Sequence, residues 1–399
     1  MRRLTKPDDN PKCLAAWLNP PCCTTATNSA VSSNIPIDYT QIVKDVVHCK
    51  SLFTYRKQLT LVKDYSSERF YWNFFYFNPL PRVIMHNKHF INLPLIDISK
   101  TKDQQSGLEE YSKMHEACKT YGAFFLSGFT SITQFDLQGL FSEAEHFFNS
   151  DISIKKSYIA SADNRYLGYR GIGSEFSELA HRQYEPCEQY KVGYLNDLKN
   201  KTSLFGVEAI KAHGAIFKKY LQTGFYSLDN IGTYVLSTIA KNLNLGEHYF
   251  VDYCNHPNHQ LGLNCYPHSQ NPKDGDQYGM SAHKDLCLMT IIAQNKPGLM
   301  LRDVCGEWKI VPYIPDTLFI MLGEFLEIWT DGYYPAPLHQ VLKSTTERRL
   351  SIVYKLRPNY DAIIPVIKGI NPHSNSSSRT VIHTGKAYDD KLKNIMYIN

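Results

Sequence analysis

The sequence lacks most of the features that would take it out of the ordinary globular class. No apolar run approaches the roughly 18 residues of a membrane span. The longest apolar-aromatic stretch, Phe70 to Phe77, is short and is interrupted by Asn73. No block of like charge occurs. Lys plus Arg number 43 against 38 Asp plus Glu, a net +5 that is dispersed along the chain. Such a balance implies neither a nucleic-acid nor a membrane-surface partner. Ten cysteines are present, yet none forms a CxxC pair, and only Cys22 and Cys23 are adjacent. A disulfide framework and a zinc ribbon are therefore poorly supported, and the expectation is buried free thiols in a reducing compartment. Met1 to Trp17 carries charges but no apolar core of signal-peptide type, so a soluble, cytoplasmic protein is expected. Haem, flavin and nicotinamide motifs are missing, and no internal repeat is visible.

What is there is a chain of 399 residues with 43% hydrophobic and 20% charged side chains. That suffices for one large domain or two ordinary ones with a sizeable core. Residues 1–90 read as an N-terminal extension. Within it Asn19 to Pro36 is rich in Pro, Cys, Thr, Ser and Asn and reads as a flexible arm. The Phe70 to Phe77 cluster reads as a strand or a packing patch. Residues 91–254 read as a mainly helical region. A short strand at Leu93 to Ser99 leads into a helix from Gly107 to Tyr121 with Gly122 as its C-cap. A buried strand at Ala123 to Phe129 and a helix from Ile132 to Phe148 follow. A long helix from Ile210 to Leu243 is suggested by the spacing of Ile216, Tyr220, Ile231, Val235 and Ile239, with Gly246 closing it. From about Gln260 short β-type runs alternate with turns such as Pro297-Gly298, Cys305-Gly306 and Pro315-Asp316. This texture predicts a sandwich or barrel over 255–360. The tail, 361–399, starts as a polar loop and ends in a helix around Tyr388 to Ile395.

The chemistry concentrates in three polar pairs on apolar runs. On a strand, residues two apart share a face, which aims His283 and Asp285 at one point and turns Lys284 away. His339 supplies a third group. Two histidines and one carboxylate form the facial triad of non-haem iron(II) sites, with positions left open for substrate and oxygen. An HxD tripeptide alone is common by chance. Two further pairs at the same spacing, Asn264 with Tyr266 and Arg349 with Ser351, change the weighting, because six polar side chains buried without ligands would be costly. Cys265 and Cys287 flank these pairs and read as core. His181 and Arg182 read as a solvated pair that could touch substrate, and His268 as a loop residue.

His283-Lys284-Asp285, His339 and Arg349-Leu350-Ser351 resemble, in order and spacing, the HxD…H…RxS pattern of the iron(II)/2-oxoglutarate-dependent dioxygenases. The branch that looks most similar contains isopenicillin N synthase and the plant flavonoid and gibberellin oxidases. Asn264-Cys265-Tyr266-Pro267 resembles that branch's NxYP segment. Pro297 to Trp308, Val311-Pro312, Leu322 to Glu324 and Gly332-Tyr333 are similar to its connecting strands, and Leu93 to Asp97 and Tyr121 to Leu126 to its N-terminal region. The likeness spans residues 91 to 395. Gln340 departs from the Arg often found after the distal histidine, and residues 1–90 have no counterpart.

The resemblance implies an α+β fold with a double-stranded β-helix (jelly-roll) core flanked by helices. It implies iron(II) on His283, Asp285 and His339, and 2-oxoglutarate as cosubstrate with O2, with ascorbate as a stimulant. Arg349 is then the anchor of the distal carboxylate, because its planar fork grips a carboxylate as lysine cannot, with hydroxyl help from Ser351 and Tyr266. Asn264 contacts the cosubstrate or steadies a ligand. The expected reaction is hydroxylation or desaturation of a small organic substrate with release of succinate and CO2. Two other readings stay open: an iron oxidase without 2-oxoglutarate, like isopenicillin N synthase, whose RxS holds the substrate's own carboxylate, and a silent binding protein that keeps the jelly roll.

Overall fold

The computed structural model describes residues 61–64, 69–72 and 89–396, apart from 163–164, 176–183, 195–203, 207–213, 256–257, 269–277, 344–346 and 374–380. The chain divides into two compact units, Met1–Met85 and His86–Asn399. In the first, β1 (Leu61–Asp64) pairs antiparallel with β2 (Arg69–Trp72). The aromatic cluster thus begins as a strand, while residues 73–77 and the Asn19 to Pro36 arm lie outside the described residues.

In the second unit, residues 91–254 supply five strands as well as helices, more β structure than the helical pattern there suggests. They are β3 (Leu95–Asp97), β4 (Ala123–Ser127), β5 (Gly168–Arg170), β6 (Glu188–Tyr194) and β7 (Leu204–Phe205). Eight more follow: β8 (Gln260–Tyr266), β9 (Tyr278–His283), β10 (Met289–Gln294), β11 (Leu299–Arg302), β12 (Trp308–Ile310), β13 (Leu318–Leu322), β14 (His339–Leu342) and β15 (Arg349–Leu356). These eight divide equally between two antiparallel layers, the pattern of a jelly roll. The order β13-β10-β15-β8 forms the middle of a nine-stranded sheet that β3 to β7 extend at both ends, and β12-β11-β14-β9 forms the second sheet. Among the described residues no strand pairing joins the two sheets, so the barrel does not close. A final hairpin pairs β16 (Ile363–Pro365) with β17 (Val381–His383).

Alternation along the strands of the large sheet sorts their apolar residues into two cores. On β10 and β13, Met289, Ile291, Leu318, Ile320 and Leu322 join the core on the helical side. Ile292, Phe319 and Met321 join a second core with Leu299, Leu301 and Val341 of the small sheet. The first core is covered by α1 (Gln104–Thr120), α2 (Leu137–Asn149), the short α3 (Ile152–Lys156) and the 28-residue α4 (Ala215–Asn242). On α4 the buried stripe runs Phe217, Leu221, Phe225, Leu228, Ile231, Val235 and Ile239, the three-and-four spacing of one helix face. Ile216, expected on that stripe, is 64% exposed, and Phe217 takes its place. Gly232 brings α4 so close to the sheet that an added Cβ would lie 2.7 Å from Leu356 Cδ1. Among the described residues no helix is long and apolar enough to cross a membrane.

Helix ends follow capping chemistry more closely than the apolar pattern. The second helix begins at Leu137, five residues later than its pattern suggests, because Asp136 caps it by accepting from the Gly139 N–H at 2.8 Å. The long helix is closed by Asn244 and not by Gly246. Asn244 adopts φ 56°, and the Asn244 and Leu245 N–H groups reach back to Lys241 O and Ala240 O, both at 2.9 Å. Gly122, by contrast, terminates α1 as expected, with φ 62°. The C-terminal helix is α6 (Thr384–Ile395), with the short α5 (Glu324–Trp329) before it. Cys118, Cys187, Cys254, Cys265 and Cys287 are free thiols.

Two glycines test this account. A Cβ on Gly122 would need a left-handed φ and would collide with the Pro335 carbonyl, whereas a Cβ on Gly246 meets nothing within 4 Å. Gly122→Ala should lower unfolding stability by roughly 2 kcal/mol or more, and Gly246→Ala should change it by less than about 0.5 kcal/mol. Urea unfolding of both variants measures the contrast.

Candidate functional site

Strand register gathers the polar residues on one face of the large sheet. β15 pairs with β8 so that Arg349 lies opposite Tyr266, Ser351 opposite Asn264, Val353 opposite Gly262 and Lys355 opposite Gln260. On the other side of β15, β10 sets Gln294 opposite Ser351 and Thr290 opposite Lys355. Beyond β8, β6 sets Gln189 opposite Asn264 and Lys191 opposite Gly262. Directly opposed residues share a face, so a polar sheet face is turned toward β9 and β14 of the small sheet. A cavity between the two is lined by Arg349, Ser351, Asn264, Tyr266, His283, Asp285 and His339 among others.

His283, Asp285 and His339 meet in this cavity, with one donor atom from each lying within 4.8 Å of the others. His339 on β14 is the direct partner of His283 on β9. Asp285 is not on the strand with His283: β9 ends at His283, and Asp285 sits in the loop that follows. Their convergence therefore comes from the turn after the strand and not from alternation along it. His283 Nε2 lies 3.5 Å from Asp285 Oδ1 and His339 Nε2 3.8 Å from Oδ2. Ligands bound about 2 Å from one ion lie roughly 3–4 Å apart, so a single metal fits between them.

The neighbours of the trio set its chemistry. His283 Nδ1 lies 2.8 Å from Ser281 O, and His339 Nδ1 lies 3.2 Å from Pro337 O. A carbonyl only accepts, so each Nδ1 carries the proton and donates it, leaving the Nε2 lone pair to face the centre. Burial, followed by the proximity of His283, lowers the pKa of His339 to about 3, which keeps it neutral and able to ligate. Burial would raise the Asp285 carboxyl, but the Lys355 ammonium holds it well below the usual range. Thr290 donates to Asp285 Oδ2 at 2.6 Å, and the Lys355 ammonium donates to Oδ1 at 2.7 Å.

Arg349 is 2% exposed and has no carboxylate partner among the described residues. Its Nε donates to Lys296 O at 3.2 Å and Nη2 to Gln294 Oε1 at 2.9 Å, while Nη1 is buried with no hydrogen bond. The guanidinium stacks over the Tyr266 ring at 5.0 Å. Burial pulls its pKa down, yet an arginine stays protonated in proteins. A buried cation with an unfilled donor is costly, and a carboxylate arriving on Nη1 would relieve that cost. Asn264 Nδ2 lies 3.4 Å from Tyr266 OH, which keeps both beside the guanidinium. Arg348, one residue earlier, is half-buried and bonds Asn149 Oδ1 on the opposite side.

Other residues singled out in the sequence are elsewhere. Cys265 and Cys287 are buried in the fold, His268 is exposed just past β8, and His181 and Arg182 lie outside the described residues. Gln340 is buried, with Nε2 3.7 Å from Met300 Sδ. A second polar group was not anticipated. Lys191 Nζ lies 2.9 Å from Glu175 Oε1, and Arg170 pairs with the same oxygen. Gln189, Glu185, Arg357 and, on α6, Tyr388, Lys391 and Leu392 complete the wall. The signal for part of it was present, since Lys355 and Arg357 continue the period-two row that starts at Arg349.

A family model for the 2OG-Fe(II) oxygenase superfamily matches residues 257–358, and one for the non-haem dioxygenase in morphine synthesis N-terminal region matches 93–210. The chain is 26% identical over 311 residues to 1-aminocyclopropane-1-carboxylate oxidase of Dictyostelium mucoroides, covering 69% of this chain and 84% of that protein. It is 25% identical over 265 residues to codeine O-demethylase of Papaver somniferum, covering 65% and 70%. A full-length Neurospora crassa protein, solved in complex with alpha-KG and thymine, superposes with a TM-score of 0.66 at 21% identity, covering 77% of this chain and 98% of that one. At that identity the likeness speaks to the fold. The hydroxyl of Thr290 offers a local test of the trio. Thr290→Val should weaken divalent-metal affinity by about 10-fold, the usual effect of removing a group that orients a ligand. Equilibrium dialysis with manganese reads this, and unchanged affinity would mean that the threonine does not orient Asp285.

Proposed function

The chain belongs to the 2OG-Fe(II) oxygenase superfamily, and from that premise we propose that His283, Asp285 and His339 hold its iron(II) and that Arg349 anchors its 2-oxoglutarate. The enzyme is an iron(II)/2-oxoglutarate-dependent dioxygenase. Iron(II), 2-oxoglutarate and O2 together supply the oxidising power: the keto acid is decarboxylated to succinate and CO2 as the substrate is oxidised. The iron oxidase and the silent binding protein are the weaker alternatives. The observation that carries the assignment is the buried Arg349 Nη1 with nothing to donate to, on the sheet face that also bears Lys355 and Thr290 against Asp285.

Each side chain has a task that follows from its position. The two imidazoles present Nε2 because Ser281 O and Pro337 O hold their Nδ1 protons. Asp285 stays ionised under Lys355 and keeps its orientation through Thr290. Arg349 is held by Gln294 and the Tyr266 ring, which leaves Nη1 as its one unpaired nitrogen. Ser351 and Tyr266 add hydroxyls beside it, and Asn264 fixes the Tyr266 end. Ile292, Leu299, Val341 and Val353 provide apolar walls that exclude water. The division into a 91–254 region, a 255–360 core and a 361–399 tail, with 1–90 as an extension, belongs to the same proposal. The substrate is a small organic molecule, in keeping with the relatives' names.

Arg349→Lys keeps the charge and loses the fork. It should raise the KM for 2-oxoglutarate by at least about 10-fold, the loss of one charge-assisted hydrogen bond of roughly 1.5–3 kcal/mol, and should leave metal affinity nearly unchanged. Oxygen consumption titrated with 2-oxoglutarate provides the measurement. A flat response in the wild type would return the reading to an oxidase in which Arg349 holds the substrate.

A further inference from the structure

The row that begins at Arg349 does not end at Ser351. Residues 349, 351, 353, 355 and 357 follow at period two, and all five line the cavity. The far end is therefore also cationic. Arg357 is 5% exposed. It donates to Leu286 O at 3.1 Å and Asn258 O at 3.3 Å and stacks over Tyr388 at 4.9 Å. Like Arg349, it has no carboxylate partner among the described residues. Lys355 has one partner only among them, the Asp285 carboxylate, and in the proposed function that carboxylate is committed to the metal.

A count of charges sharpens the point. The cavity is lined by Arg170, Lys191, Arg349, Lys355, Arg357 and Lys391 against Glu175, Glu185 and Asp285. Lys391 is paired with Glu324, outside the lining. Two positive charges remain in excess. Iron(II) and 2-oxoglutarate carry opposite charges of equal size, so their binding leaves this excess in place. Arg170 and Lys191 share the Glu175 carboxylate and Arg349 faces the 2-oxoglutarate end, so the cations left at the Asp285 end are Lys355 and Arg357. Gln189 adds a second observation: it is 3% exposed and lines the cavity, its Nε2 bonds Glu175 Oε2 at 3.3 Å, and its Oε1 accepts nothing. That acceptor lies in register with Ser351, and the two cations at the Asp285 end describe a ligand with an acidic group.

We propose that Lys355 and Arg357 form a second anion-binding end of the cavity, and that the substrate is a small organic acid whose carboxylate pairs with them. The inference rests on the proposed function, since a metal on Asp285 draws on the carboxylate charge that otherwise offsets the Lys355 ammonium. It also makes Lys355 a specificity-determining residue: its position beside Asp285 puts the carbon next to the substrate's acidic group close to the metal trio.

The test uses the full chain loaded with Zn(II) and one equivalent of 2-oxoglutarate, whose uptake is measured first. Calorimetric Kd values are then compared for acids and their amides: benzoate with benzamide, phenylacetate with phenylacetamide, hexanoate with hexanamide. In at least one pair the acid should bind 10-fold or more tightly without displacing 2-oxoglutarate. Lys355→Met should reduce that preference below about 3-fold, Lys355→Arg should retain most of it, and Arg357→Lys provides a second reading should Lys355→Met fold poorly. Failure of Zn(II) or 2-oxoglutarate uptake would contradict the proposed function and this inference with it. Normal uptake with no acid preference, with an acid that only displaces 2-oxoglutarate, or with a preference that survives both Lys355→Met and Arg357→Lys would overturn this inference alone.

Discussion

The pairing of β15 with β8 is the constraint on which the site depends. Its register sets Arg349 beside Tyr266, Ser351 beside Asn264 and Lys355 beside Gln260. A slip of one residue would carry all of these to the helical side and bring Leu350, Ile352 and Tyr354 into the cavity. The apolar half of the same alternation holds the register in place. Leu350, Ile352, Tyr354 and Leu356 are all at most 3% exposed in the core under α4, so burial of one face fixes what the other presents. Stability and function thus draw on opposite faces of the same strands.

The cavity is built around charges that lack equal counterparts. Arg349 has neutral acceptors and an aromatic ring but no carboxylate among the described residues. Asp285 is held ionised by the Lys355 ammonium against its burial. Glu175 is half-buried, and loss of water around it would raise its pKa, yet Lys191 and Arg170 hold it far below the usual range. Burial followed by the Arg170 charge brings Lys191 down to about 7, and an anion entering beside it would favour the charged form. Each group would be costly in an empty apolar core. Together they form a cavity whose full neutralisation needs a metal and anionic ligands, which is how the fold couples stability to binding.

Much of the site was legible because polar residues at period two stand out on apolar strands. His283, Arg349, Ser351, Asn264 and Tyr266 carry that signal, His339 was reached as the third group of the triad, and the structure brings all six to one cavity. Asp285 was found for a reason that does not hold, since a turn and not a strand delivers it. Lys191, Arg170 and Glu175 were missed because a lysine or arginine in a short strand usually reads as solvent-facing, and β5 and β6 lie in a region dominated by helical patterns. Their burial is a tertiary effect of β6 docking on β8. Helix limits failed where capping outweighs periodicity: Asp136 opens α2 and Asn244 closes α4.

The central claim is that one sheet face holds a metal trio with a cosubstrate anchor beside it. Crystals grown without oxygen in iron(II) and 2-oxoglutarate, measured by anomalous diffraction at the iron edge, examine it directly. The account predicts one strong peak about 2 Å from His283 Nε2, His339 Nε2 and an Asp285 oxygen, with the distal carboxylate of 2-oxoglutarate on Arg349 Nη1. A peak away from these three atoms, or a cosubstrate carboxylate bound at Lys355 or Arg357 in place of Arg349, would contradict it.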